Sequence, residues 1–297
     1  MGRQTCSLSA ALRQARCGRA VTRTPRASAR QRPPSAVSLG LLAGRGGSPE
    51  RLDGIHVVLE ALRARRRSLQ RLRVATGGGP RGPDLAAVVA EAERAGVPIE
   101  EVAVSDLRAS GSKNPQRVVL EAGPLPEVPL ESLWAEEGLN RRIILLDGVE
   151  DPQNLGAIAR VAEAVGARGI VTARRRAAPL SPAATRASAG ALEWLPVARV
   201  ANLGRAVRSL KENGFWLVGA DVDAPESVYD LAPALLQGDL VIALGAEGRG
   251  LRRSLLEQVD HRVRIPMAGH LASLNVSTAG AVLLFEVVRR AGPSKLA

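Results

Sequence analysis

Aromatic residues are scarce in this chain of 297 residues, which contains three tryptophans, two phenylalanines and one tyrosine. None of them precedes Trp134. Domains that recognise single-stranded nucleic acid by stacking its bases on several aromatic rings, such as the RRM and OB folds, therefore do not fit this composition.

Cysteine is almost absent, and both cysteines, Cys6 and Cys17, lie near the N-terminus. The body of the chain therefore has no disulfide framework, no cysteine-based zinc site and no catalytic thiol, and a reducing compartment is expected. The three histidines, at positions 56, 261 and 270, are scattered and have no ligand spacing. We therefore expect no metal site.

Long apolar runs are missing as well. No stretch approaches the ~18–20 apolar residues that a membrane-spanning helix needs, so we expect no membrane partner. Apolar residues make up 45% and charged residues 24% of the chain, which are ordinary values for a globular protein.

Acidic residues are absent from residues 1–49, which contain nine arginines. The remaining chain carries 32 basic and 29 acidic residues, so most of the net charge of +12 belongs to this basic tail. The composition predicts disorder. The tail is either a non-functional extension of a cytoplasmic protein or a transit peptide that directs the protein to the mitochondrial matrix.

Residues 50–123 have the pattern of a small α/β domain. Apolar spacing predicts helices over 54–67 and 84–95 and strands near 72–74, 99–104 and 118–122. Six arginines and no acidic residue lie between Arg63 and Arg73. Residues 77–80, Gly-Gly-Gly-Pro, interrupt the pattern, and residues 124–139 contain prolines and no clear period, which is typical of a linker.

Residues 140–297 alternate regularly between apolar strands and amphipathic helices. The predicted strands, in chain order, are 143–146, 169–172, 195–200, 215–220, 240–244 and 263–265. This alternation predicts an α/β fold with a parallel sheet that is covered by helices on both faces. Ligands of such sheets bind at the loops that leave the carboxyl ends of the strands.

Three of these loops carry polar or glycine-rich sequences. The first follows the first strand and reads Asp-Pro-Gln-Asn-Leu-Gly from Asp151, with Arg160 six residues after Asn154. The second follows the fifth strand and reads Gly-Ala-Glu-Gly-Arg-Gly from Gly245. The third follows the sixth strand and ends in Ser-Leu-Asn-Val-Ser from Ser273.

Each loop taken alone has a purely structural interpretation. Asn154 is a candidate helix cap, and Arg160 could pair with Glu163 on a solvated helix face. The glycine-rich loop could be a tight turn, since it is neither a dinucleotide fingerprint nor a phosphate loop. Ser273 or Asn275 could cap the last helix.

Taken together, the three loop sequences are much more informative than any one of them alone. The sequences D-P-Q-N-L-G-A-I-A-R, L-G-A-E-G-R-G-L and I-P-M-A-G followed by S-L-N-V-S closely resemble the three motifs of the SpoU/TrmH family of RNA ribose 2′-O-methyltransferases, part of the SPOUT superfamily. This resemblance covers residues 140–291. Residues 54–62, G-I-H-V-V-L-E-A-L, resemble the start of the L30e-like domain in the RlmB-type branch, which methylates a guanosine of large-subunit rRNA.

The resemblance implies a C-terminal SPOUT α/β domain with a deep trefoil knot, preceded by a small L30e-like α/β domain that binds the RNA substrate and by the disordered tail. It also implies S-adenosylmethionine as cofactor, held by Gly245, Ile265 and Leu274, and a homodimer. The implied catalytic residues are Arg160 as the proton-handling group of the first motif and Asn154, Glu247, Ser273 and Asn275 as positioning groups.

The arginine-rich segment suits contacts with RNA phosphates. The predicted RNA-binding residues within it are Arg63, Arg65, Arg66, Arg67 and Arg71. Residues 111–117 replace a His-Gln-Gly turn that is common in the family, which concerns the choice of RNA rather than the chemistry. A tRNA methyltransferase of the same family, a catalytically inactive RNA-binding homologue and a dinucleotide-dependent enzyme are the alternatives. The missing dinucleotide fingerprint argues against the last of these.

Overall fold

The computed structural model describes residues 49–76, 82–109, 116–136, 138 and 140–291. The chain divides into two units, Met1–Ala43 and Gly44–Ala297, and every described residue lies in the second. The predicted disordered tail, apart from Pro49, and the predicted chain break at 77–80 lie outside the described residues.

The small domain is built on a four-stranded mixed sheet. Its elements in chain order are β1 (Glu50–Asp53), α1 (Ile55–Ala64), β2 (Leu69–Thr76), α2 (Pro83–Arg94), β3 (Ile99–Ala103), α3 (Val104–Ala109) and β4 (Val118–Ala122). The strand order is β1-β4-β2-β3, and β4 is antiparallel to both of its neighbours. Apolar side chains of α1, α2 and the sheet form one core, which includes Leu52, Val58, Leu72 and Val88.

Helix α1 ends three residues before the predicted end at residue 67. Arg65 takes a left-handed conformation with φ +50°, and its N–H donates to the carbonyl oxygen of Ala61. This turn stops the helix after Ala64 and directs Arg66 and Arg67 away from the helix axis.

Among the described residues of the predicted linker, the only helix is one turn of 3₁₀ helix at Leu130–Leu133. The linker nevertheless packs on the larger domain. Leu125 and Leu133 are buried, and the N–H of Val128 donates to the carbonyl oxygen of Val197. The described residues of this segment are therefore held against the larger domain, although their sequence has no clear apolar period.

The larger domain is a seven-stranded sheet in which all paired strands are parallel. Its elements in chain order are β5 (Arg142–Asp147), α4 (Pro152–Ala164), β6 (Gly169–Ala173), α5 (Pro182–Ala187), β7 (Val197–Val200), α6 (Leu203–Glu212), β8 (Trp216–Ala220), β9 (Glu226–Ser227), α7 (Pro233–Leu236), β10 (Leu240–Gly245), α8 (Arg253–Leu256), β11 (His261–Arg264) and α9 (Val276–Arg290). The strand order is β7-β6-β5-β10-β8-β11-β9.

Both faces of this sheet are covered, which confirms the predicted α/β fold. Ile144 and Leu146 of β5 pack in the core under α4 and α9, whereas Ile143 and Leu145 pack in the core under α6. This alternation follows from the two-residue period of a strand, and it explains why β5 is apolar at every central position. No helix among the described residues is both long and apolar enough to cross a membrane.

A buried ion pair joins the two domains. The Arg67 side chain is completely buried, and its Nε donates to both carboxylate oxygens of Glu193, at 2.9 and 3.0 Å. Its remaining donors bind Glu50 of β1, the carbonyl oxygen of Gly123 and the hydroxyl of Thr185 in α5. Residues from both domains therefore complete the hydrogen bonding of one guanidinium.

Burial is the largest influence on the pKa of Glu193. It raises the pKa of Glu193 above its usual value, and the charge and hydrogen bonds of Arg67 offset only part of that rise. Burial likewise lowers the pKa of Arg66, whose Nη1 donates to the carbonyl oxygens of Leu192 and Glu193. Neither the Glu193 carboxylate nor the Arg66 guanidinium is well solvated, so each depends on the groups that bind it inside the protein.

We expect Arg67→Ala to lower the free energy of unfolding by ~3–5 kcal/mol, because the substitution leaves Glu193 buried without its cation. Arg63→Ala is the control, since the one ion pair that Arg63 forms with a described residue is an exposed pair with Glu60, whose loss costs under ~1 kcal/mol. Urea-induced unfolding followed by circular dichroism measures both. Equal losses in the two variants would contradict a stabilising role for the buried pair.

Candidate functional site

The three motif loops lie at the carboxyl edge of the parallel sheet. They follow β5, β10 and β11, and β5 and β10 are hydrogen-bonded neighbours. Because parallel strands point the same way, their carboxyl ends form one edge, and side chains that follow them can meet there.

One polar side chain from each loop takes part in a closed set of hydrogen bonds. Glu247 Oε1 accepts hydrogen bonds from Asn154 Nδ2 at 3.0 Å and from Asn275 Nδ2 at 2.5 Å. Asn154 Oδ1 accepts a further bond from Asn275 Nδ2 at 3.0 Å. We call these three residues the polar triangle. It brings together positions that are up to 121 residues apart in sequence.

Two of the triangle residues, Asn154 and Asn275, are oriented by helices α4 and α9. Asn275 is the N-cap of α9, and its Oδ1 accepts from the N–H of Ser277 at 2.9 Å. The predicted cap at Asn154 is wrong, because Asp151 caps α4 by accepting from the N–H of Gln153 at 2.8 Å. Asn154 is thereby left to direct its amide at Glu247.

The loop after β10 folds back on itself so closely that it requires glycine at its start. A Cβ on Gly245 would lie 2.0 Å from the carbonyl carbon of Gly250 and 2.2 Å from the nitrogen of Leu251. The N–H of Gly250 donates to the carbonyl oxygen of Ala246, which closes the turn with Glu247 exposed at its tip.

Asp147 fastens this loop to the end of β5. Its carboxylate is buried, and Oδ2 accepts from the N–H of Arg252 at 2.9 Å while Oδ1 lies 2.6 Å from the Arg252 guanidinium. Sequence reasoning missed Asp147. An acidic residue that ends an otherwise apolar strand was the available signal.

The loop between β11 and α9 is extended and has free backbone groups. Ile265 is half-buried against the core, Leu274 is half-buried beside Asn275, and Ser273 is exposed. Within the described chain, residues 266–274 form no hydrogen bonds with other backbone groups. Their N–H and C=O groups can therefore bind a ligand.

Arg160 is not part of the polar triangle. It lies six residues after Asn154 on α4, which corresponds to ~9 Å along the helix axis. Its side chain is exposed and lines a cavity with His56, Glu60 and Trp194. Among the described residues it forms no ion pair, so the alternative of an Arg160–Glu163 pair is not observed.

Three of the predicted RNA-binding arginines, Arg63, Arg65 and Arg71, are exposed on the small domain. Each also lies within ion-pair distance of a glutamate of that domain. Their guanidinium groups remain accessible to a phosphate.

Arg67 is a correction to the predicted RNA contacts. Its side chain is fully buried by the pair with Glu193, so it cannot reach a phosphate on the surface. Arg66 is half-buried and directed at the backbone of residues 192–193. A run of arginines does not reveal which of them are exposed, because an arginine can either carry charge at the surface or form a buried ion pair.

Two further expectations concern metals and the variant turn. The described residues contain no group of three or more histidine, cysteine, aspartate or glutamate side chains that could hold a metal ion.

Most of the variant turn, residues 111–115, lies outside the described residues. Gln116 is described, and its Oε1 accepts from the N–H of Ile55 at the start of α1.

Two family profiles match this chain. The profile of the SpoU rRNA Methylase family matches residues 141–285. A second profile, described as RNA 2′-O ribose methyltransferase substrate binding, matches residues 52–128. The two matched ranges correspond to the larger and the small domain.

Similar proteins span nearly the whole described chain. The 23S rRNA (guanosine-2′-O-)-methyltransferase RlmB of Pseudomonas putida is 36% identical over 245 residues, which is 81% of this chain and 96% of the relative. RlmB of Vibrio cholerae is 38% identical over 248 residues, which is 82% of this chain and 98% of the relative.

A solved structure has the same fold. The SpoU methyltransferase AviRb of Streptomyces viridochromogenes, in complex with the cofactor AdoMet, superposes with a TM-score of 0.68 at 25% identity. The match covers 82% of this chain and 90% of that chain.

We expect Gly245→Ala to destabilise the protein by ~1–3 kcal/mol, because its methyl group must displace the backbone of Gly250. Gly269→Ala is the matched control, since a Cβ there meets nothing within 4 Å. Thermal unfolding of both variants provides the comparison. If the two glycines tolerated alanine equally, the tight return of this loop would not be a constraint.

Proposed function

The chain belongs to the SpoU rRNA methylase family, and we propose that it transfers a methyl group from S-adenosylmethionine to the ribose 2′-hydroxyl of a guanosine in large-subunit rRNA. The observation that carries the proposal is the polar triangle. Its three residues come from three separate motifs, and the fold joins them at one edge of the sheet.

The loops around the triangle suit S-adenosylmethionine. Free backbone groups in residues 266–274 and the half-buried side chains of Ile265 and Leu274 offer polar and apolar contacts side by side. Gly245 lets the neighbouring loop stay compact. These residues would hold the cofactor, which supplies an electrophilic methyl group on a sulfonium centre.

The polar triangle and Ser273 position the substrate. Glu247 accepts from two amides at once, which fixes the direction of its carboxylate. Ser273 is exposed and adjacent to this set, so its hydroxyl is available to the ribose. Holding the hydroxyl in line with the methyl group is the main contribution that such residues can make.

Arg160 acts on the RNA backbone in this proposal. A guanidinium stays protonated at any ordinary pH, so it cannot itself remove the proton from the ribose hydroxyl. Its charge, which forms no ion pair within the described part of the chain, can instead hold a phosphate and stabilise the developing alkoxide, while that phosphate or a water accepts the proton.

The small domain is proposed to be L30e-like and to select the RNA. Arg63, Arg65 and Arg71 present accessible positive charge for phosphate contacts. Arg66 and Arg67 instead fix the orientation of this domain relative to the catalytic one.

A deep trefoil knot in the C-terminal domain is also part of the proposal. After β10 the chain continues to β11 on the far side of β8, and then returns so that α9 packs on α4 and β10. Asn275, at the start of α9, contacts both Asn154 and Glu247. This return beside two earlier loops supports the proposal of a knot, although knots are rare in proteins.

We further propose a homodimer formed through the C-terminal domain, acting in the cytoplasm, or in the mitochondrial matrix if the tail is a transit peptide. Phe285 on α9 is a candidate contact of this dimer, because 55% of this large apolar residue is exposed in the single chain. Light scattering at micromolar concentration should report twice the mass of one chain. A fully active monomer would contradict this assembly.

The alternative functions differ from the proposed one either in the RNA substrate or in whether the protein is catalytically active. The intact polar triangle argues against an inactive RNA-binding homologue, because such a protein has no need for it. Offering the purified protein large-subunit rRNA and tRNA in parallel separates the rRNA enzyme from a tRNA enzyme of the same family.

We expect Arg160→Ala to lower the rate of methyl transfer to rRNA by ~10²–10⁴-fold, because the residue acts chiefly in the transition state. S-adenosylmethionine affinity, measured by calorimetry, should stay within a few fold of wild type, since the other two loops build the cofactor site. Arg160→Lys should restore part of the rate if a point charge on the phosphate is sufficient.

Arg208→Ala is the control for Arg160. Arg208 is exposed on α6, which covers the other face of the sheet. Its loss should leave the rate unchanged. Near-wild-type turnover by Arg160→Ala would show that the assignment of Arg160 is wrong.

A further inference from the structure

A cavity of ≈340 Å³ lies where the small domain meets the catalytic domain. Its small-domain wall is formed by His56 and Glu60 of α1. Its opposite wall is formed by Arg160 of α4 and, after α5, by Ser188 and Trp194. The volume falls at the lower end of the ~300–1,000 Å³ range of pockets that hold small ligands.

Trp194 is held in this cleft by a bond across the domain boundary. Its Nε1 donates to Glu60 Oε2 at 2.7 Å, and the other Glu60 oxygen accepts from Arg63 at 3.0 Å. Trp194 nevertheless stays 45% exposed. One of the few aromatic rings in the chain is thus fixed in orientation and left accessible.

The two walls cannot easily move apart. The neighbour of Trp194, Glu193, is the buried partner of Arg67. Gly190 approaches α1 so closely, with φ +92°, that a Cβ would lie 2.8 Å from the Cβ of Glu60. The cleft is therefore preorganised by contacts on both sides of the aromatic ring.

The chemistry of the walls is that of a nucleotide site. An exposed indole offers a face on which a base can stack. Arg160 contributes a guanidinium that forms no ion pair with an acidic side chain among the described residues, although Glu60 and Glu163 line the same cavity, and such a group binds phosphate. Glu163, also on the wall, offers an acceptor for an exocyclic amino group of a base.

We propose that this cleft binds one unstacked nucleotide of the RNA substrate, with its base on Trp194 and its phosphate on Arg160. The proposal rests on the RNA methyltransferase function, and it adds a base-binding site shared by the two domains. The sequence excludes an aromatic platform for several bases, whereas a single tryptophan suffices for one splayed nucleotide.

The test compares Trp194→Ala with Trp194→Phe. We measure the affinity for in-vitro transcribed large-subunit rRNA by filter binding without S-adenosylmethionine, and the KM for the same RNA in methyl transfer. Loss of a stacked base should weaken RNA binding by ~5- to 150-fold in Trp194→Ala. Trp194→Phe keeps an aromatic face and should stay within a few fold of wild type.

The phenylalanine variant also separates stacking from the bond to Glu60, because phenylalanine has no N–H to donate. If both variants lost the same affinity, the Trp194–Glu60 bond rather than stacking would be what matters, and the proposal would be overturned. Unchanged RNA affinity in Trp194→Ala would overturn it as well.

Trp216→Ala is the matched control, since Trp216 is 51% exposed and lies on β8, outside the cleft. Its RNA affinity should equal that of wild type. S-adenosylmethionine affinity should be the same in all variants. If the wild-type protein bound rRNA but methylated none, the proposed function would fail while the binding comparison still decided the role of Trp194.

Discussion

The carboxylate of Glu247 is the point on which the site depends. By accepting from Asn154 and Asn275 it ties together three loops that leave three different strands. Because the two amides also orient α4 and α9 relative to each other, loss of the carboxylate would affect substrate positioning and helix packing together. Gly245 and Asp147 support this arrangement by keeping the Glu247 loop compact and fastened to β5.

A second constraint operates between the domains. The buried pair of Arg67 and Glu193 costs desolvation energy and is stable only because every donor of Arg67 finds an acceptor. Its position beside Trp194 links the attachment of the small domain to the cleft that includes Arg160. In the proposed function, substrate selection and catalysis thus share one rigid framework.

The sequence predicted the parallel sheet well, because strands covered on both faces are apolar throughout, as β5 and β10 are. The four residues of β1 were missed because they have no apolar period and pair with β4, about 70 residues away. The motifs located the three loops, but they could not show which polar side chains bond to one another. The sequence could not show which arginines of the run are exposed and which are buried either. Arg63 pairs with nearby Glu60 at the surface, whereas Arg67 is buried by Glu193, which is far away in sequence.

The central claim is that this site methylates a ribose hydroxyl of guanosine. The most direct measurement incubates the purified protein with large-subunit rRNA and S-adenosylmethionine that carries an isotopically labelled methyl group. The RNA is then digested to nucleosides and analysed by mass spectrometry. We expect label in 2′-O-methylguanosine. Label on a base, or no label in the RNA, would contradict it.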